Sequence, residues 1–91
     1  MQVLKARKKP IIVEVFQWDG TNDFSKIDWP DECINCLEYN ENYNVLNVKT
    51  KEGYVLNIQF GDYICRGIED EIWPIRQSIF EKTYEICQNF R

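Results

Sequence analysis

The sequence predicts a small α+β domain. Its centre is a mainly antiparallel β-sheet of five or six strands, open or curled barrel-like, with one or two short helices on one face. Three observations lead there. Residues 43–60 alternate in polarity on either side of a Lys51-Glu52-Gly53 turn, the pattern of a β-hairpin. Two more runs, 11–18 and 63–75, are rich in β-branched and aromatic residues and are bounded by glycine or proline. Residues 21–42 instead space their apolar side chains as a helix does.

The first strand is expected across residues 10–18. Ile11, Val13 and Val15 fall on one face, and Ile12, Phe16 and Trp18 on the other. Only Glu14 and Gln17 interrupt, which predicts a central or covered strand. Asp19-Gly20 ends it as a turn. Thr21, Asn22 and Asp23 are candidate helix caps, and Phe24 and Ile27 follow at helical spacing. Pro30 suits the first turn of a second helix, with Asp31 and Glu32 at its positive end and Ile34 and Leu37 on one face. Helical structure is therefore expected between residues 22 and 38, then a polar loop at Asn40–Asn42.

In the hairpin, Leu46 and Val48 oppose Tyr43, Val45 and Asn47, while Tyr54, Leu56, Ile58 and Phe60 share a face. Gly61-Asp62 opens a turn, residues 63–66 form a short strand, and residues 67–71 are a tight acidic connection. Pro74 makes residues 72–75 an edge strand or a strand end. Ser78 and Glu81 fit a capping box, which predicts a single helical turn. Residues 82–87 read as a last strand and 88–91 as a frayed tail.

The 91 residues make one domain, and 44% hydrophobic content with thirteen aromatic residues supplies its core. No apolar run is long enough to span a membrane, and no secretory signal is read, so a cytoplasmic location is expected. The net charge of −4 disfavours duplex nucleic acid as a partner. That charge is uneven: Lys5, Arg7, Lys8 and Lys9 make residues 1–9 a basic arm, and the acids follow. Cys33, Cys36, Cys65 and Cys87 include only half of a zinc knuckle, and the chain has no histidine. The cysteines are expected to act as small buried hydrophobes, with no metal and no cofactor. Without histidine there is no Ser-His or Cys-His nucleophile. Asp62, Glu69, Asp70 and Glu71 are expected to be solvated turn residues, so the chain is expected not to be an enzyme.

The stretches 6–20 and 61–85 carry a resemblance. The second holds Gly61, Asp62, Tyr63, Gly67, Glu71, Trp73, Pro74, Phe80 and Tyr84. It resembles the PGDYG-like family of small phage and prophage proteins, with Phe60 where that family usually has proline. The resemblance covers about 40 residues, and most members of the family carry no assigned activity. It implies a phage or prophage origin and an accessory, anti-defence or host-take-over role.

Two kinds of partner follow. Trp18, Arg66, Trp73 and Arg76 are candidate ligand-binding residues: arginine supplies a charge fork for phosphate and tryptophan a plate for a base. They would suit a small nucleotide signal of host immunity. Trp29, Tyr39, Tyr43 and Tyr54 among acids would suit a host protein. Exposed sheet edges make a homo-oligomer feasible. The sequence thus points to a non-enzymatic accessory binding protein or inhibitor. A structural or assembly-associated phage protein is the alternative.

Overall fold

A computed structural model describes residues 1–7 and 9–87. It shows an α+β fold of six strands in two three-stranded antiparallel sheets, with two short helices. Strands β1 (Glu14–Gln17), β5 (Tyr63–Arg66) and β6 (Ile72–Ile75) form the first sheet, with β5 in the middle. Strands β2 (Leu37–Asn40), β3 (Val45–Thr50) and β4 (Gly53–Ile58) form the second, with β3 in the middle. The two sheets stay open and do not close into a barrel.

The core lies between the sheets. Paired residues share a face, so the register Phe16↔Ile64 sets both side chains inward, and so does Arg66↔Ile72 for Ile72. Leu46, Val48 and Ile58 meet them from the second sheet, joined by Trp18 and Cys33. Leu46, Val48 and Ile64 are fully buried. Phe24 and Trp29 cover the Phe16 end, with Trp29 edge-on to Phe16 at 5.3 Å.

Several expectations are corrected. The first strand is four residues long and lies at a sheet edge, not the centre. The candidate caps at 21–23 start no helix. Asp19 accepts hydrogen bonds from the Thr21 amide and hydroxyl, and Asp23 does the same for Ser25. These local side-chain bonds compete with helix formation. The helical segment is only α1 (Asp31–Ile34), one turn, with Pro30 as its N-cap. Leu37 leaves it because the Cys36 carbonyl accepts from the Lys49 amide at 2.9 Å, which starts the pairing of β2 with β3.

The hairpin is present, but its second face is not the expected one. Leu46 pairs with Ile58 and Val48 with Val55, so Leu56 and Asn57 together oppose Asn47. This β-bulge carries Asn57 at φ 62°, with its amide donating to the Asn47 side chain at 3.0 Å. It turns Ile58 inward and leaves Tyr54, Leu56 and Phe60 exposed. The expected capping box does not form. Helix α2 (Gln77–Thr83) begins before Ser78 and takes in Lys82, so the last strand over 82–87 is absent, and Tyr84 leaves the helix with extended backbone. The expected tail at 88–91 lies outside the described residues, as does Lys8 of the arm.

Candidate functional site

The outward face of the first sheet is the chemically suggestive surface. The register Val15↔Cys65↔Trp73 and Gln17↔Tyr63↔Ile75 sets these six side chains on it. Helix α2 covers one end. Phe80 stacks on Tyr63 with ring centroids 3.8 Å apart, and Tyr84 stacks on Phe80 at 4.9 Å. The Gly61-Asp62 turn fixes the start of that helix. Asp62 accepts from the Gln59 amide at 2.9 Å and from the Gln77 amide at 3.0 Å. Gly61 sits at φ 92°, a left-handed backbone that strains any residue with a side chain, so glycine suits the turn.

The rest of that face is open. It forms a groove of about 1350 Å³ with Val15, Trp73 and Ile75 on its lining. Residues 9–13, Ile79 of α2 and residues 84–87 line it as well. Ile11, Ile12, Ile68, Ile79 and Ile86 border it and are all at least half exposed. Its charged lining residues are Lys9 and Arg76 against Glu14, Glu71 and Glu85.

The structure distributes the four candidate ligand-binding residues. Trp18 is 1% exposed, with its indole nitrogen donating to the Thr21 carbonyl at 2.9 Å and its ring edge-on to Tyr39. No ring face is left for a base. Arg66 pairs with Glu14 at 2.7 Å and Asp70 at 2.8 Å. The hydrogen bond to Asp70 is the first cause that holds its charge in place, raising its already high pKa. Trp73 and Arg76 do come together, both lining the groove, with Trp73 half-buried and Arg76 exposed. Of the candidate protein anchors, Tyr43 and Tyr54 are exposed, while Trp29 and Tyr39 pack on the core. The bordering isoleucines escaped the sequence reading. Their one signal was that Ile68 and Ile79 belong to no alternating strand face.

The acidic connection is structural. Asp70, at φ 62°, holds Arg66, and its carbonyl accepts from the Cys33 thiol at 3.5 Å. Lys51 reaches Glu69 at 3.4 Å and Glu71 at 4.0 Å, which links the hairpin turn of one sheet to the β5–β6 connection of the other. Among the described residues, no group of three or more histidine, cysteine or acidic side chains is placed to hold a metal. Cys33 lies in the core between the sheets, and Cys65 on the outward face of the first. Burial pushes the Cys65 thiol up to about 12 and raises that of Cys33. Both stay protonated and poorly nucleophilic at neutral pH.

Among the described residues, no helix is long and apolar enough to cross a membrane. Compared with known proteins, the chain matches no family model, no curated protein and no solved structure.

Proposed function

We propose that this protein is a non-enzymatic accessory binding module of phage or prophage type, acting in the bacterial cytoplasm, and that it binds a protein through the groove. One observation supports the reading: five half-exposed isoleucines border a single opening. Scattered exposed isoleucines are ordinary, but a contiguous set marks a contact surface. Covering each contributes on the order of 1 kcal/mol to association. A host protein is the partner, and anti-defence or host-take-over inhibition is the role.

The nucleotide alternative has weaker physical support. A phosphate needs a free cation, and Arg66 already serves two carboxylates. Arg76 and Lys9 share the groove with Glu14, Glu71 and Glu85, so its lining gives an anion no surplus of positive charge. The protein reading predicts no rise in melting temperature with cyclic dinucleotides or ADP-ribose-type signals. It also predicts a host protein that is retained from lysate by the native chain and lost by Ile79→Glu. A clear thermal rise with a nucleotide would overturn it. So would recovery of the chain in purified virions, which belongs to the assembly reading.

A further inference from the structure

We propose that helix α2 is a releasable cover: it lifts off the first sheet while both sheets stay folded, and so extends the groove over Tyr63 and Cys65. The opening concerns the shape of that face and does not depend on what binds there.

The face under the helix supplies the first reason. Of its six side chains, Val15, Tyr63, Trp73 and Ile75 are half-buried and Gln17 is exposed, whereas Cys65 is fully buried. The strand neighbours of Cys65, Val15 and Trp73, line the open groove and do not seal the thiol. Its cover comes from the helix side. Phe80 stacks on Tyr63, and Tyr84, the residue that ends α2, stacks on Phe80. Tyr84 lies beside the thiol: burial first, and the Cys65 charge after it, raise its phenol pKa.

The helix is weakly attached, which is the second reason. Among the seven residues of α2 only Phe80 is buried, and the other six are exposed. The core between the sheets, built on Trp18, Leu46, Val48, Ile58, Ile64 and Ile72, includes no residue of α2. Among the described residues, one hydrogen bond ties the helix to the body beyond its own caps: the Gln77 amide donates to Asp62 at 3.0 Å. It uses Oδ1, while Oδ2 accepts from Gln59, so the turn keeps its own bond when the helix leaves. The other side-chain bonds travel with the helix, from Gln77 to Glu81 and from the Thr83 hydroxyl to the Ile79 carbonyl. Helices shorter than about 12 residues are marginal alone, and elements outside the main core open well below the cost of global unfolding.

Arg76 supplies the hinge. It alone separates β6 from α2, with extended backbone at φ −60° and ψ 142°. Rotation there moves the helix and leaves the pairing of β5 with β6, which ends at Tyr63↔Ile75, intact. Once open, Tyr63 and Cys65 join Val15, Trp73 and Ile75 on one continuous surface. The Tyr63 ring is then free to stack on a foreign aromatic side chain in place of Phe80.

Cys65 reports the opening. The folded full chain is treated with N-ethylmaleimide, and modification at Cys65 is followed by peptide mass spectrometry with and without low urea. The expected rate at Cys65 changes little with urea below the unfolding transition. Phe80→Ala should speed it at least about 100-fold, with circular dichroism showing that the chain remains folded. Ile58→Val, in the core, should lower the urea midpoint and leave the Cys65 rate unchanged. A native-chain rate that climbs with urea as steeply as global unfolding would overturn the proposal; this series decides alone if Phe80→Ala does not fold. So would a folded Phe80→Ala chain with no acceleration, or an Ile58→Val chain accelerated in step with its lost stability. A helix that stays closed, in a chain whose Ile79→Glu variant still loses a host protein, would sink this inference and leave the groove reading standing. An opening helix in a chain that retains no host protein would sink only the groove reading.

Discussion

A single carboxylate, Asp62, satisfies two backbone donors from separate parts of the chain: the Gln59 amide after β4 and the Gln77 amide that opens α2. Its own carbonyl accepts from the Trp18 amide at 2.8 Å, while the Trp18 carbonyl accepts from Gly61 at 3.0 Å. One turn therefore joins the end of the first strand, the end of the hairpin and the last helix. Removing the carboxylate leaves a helix start without its cap. Asp62→Ala should lower stability by about 1–2 kcal/mol, measured as a lower urea midpoint with an unchanged slope. The buried thiols supply a pH test. Burial raises Cys65 from 9.0 to about 12 in the folded chain. The unfolded chain thus loses that proton first, and the stabilisation is complete below about pH 9 and falls as pH rises toward 12. Cys65→Ala should flatten the decline of stability across that window. Equal slopes in both chains would assign the alkaline loss to other groups.

At the scale of the element, the hairpin shows what alternation can and cannot convey. Its two strands and their turn were readable because polarity switches at each step on both sides of Gly53. The bulge was not, since one extra residue at Leu56–Asn57 leaves the local polarity pattern intact while reversing the faces beyond it. Asn57 tolerates its left-handed backbone better than a branched residue would. Asn57→Val should therefore cost about 1–2 kcal/mol, whereas Asn57→Gly should be close to neutral by thermal unfolding. Residues 21–38 were misread for a different reason. Their aspartate, threonine and serine side chains are the types that cap helices, but here they close consecutive turns on one another. Leu37-Glu38-Tyr39-Asn40 alternates as a strand should, and that period was masked by the helical spacing of Ile34 and Leu37.

Across the whole molecule, two sheets enclose one core and the first sheet keeps a second, incompletely covered face. The hairpin, the antiparallel pairing and the edge position of the Pro74 strand were legible in the sequence, whereas β2 was missed and a strand over 82–87 was expected where none forms. The division into two sheets was not, because it depends on which strands pair across long separations, such as β1 with β5. The site was legible only at Trp73 and Arg76. Trp18 looked like a ligand plate because an aromatic at a strand end serves a core or a site equally well; burial decides, and burial is set by the tertiary fold. The residues behind the family resemblance mostly have structural work: Gly61 and Asp62 shape the turn, Tyr63, Phe80 and Tyr84 form the stack, and Glu71 lies over Gly67. The groove is the surface we propose for recognition. Photocrosslinking tests it most directly, with a benzophenone amino acid placed at Ile79 inside the groove or at Tyr54 on the exposed hairpin face, in host cells. A polypeptide adduct from position 79, and none from position 54, is the predicted result. Adducts from position 54 alone would contradict the groove as the binding surface.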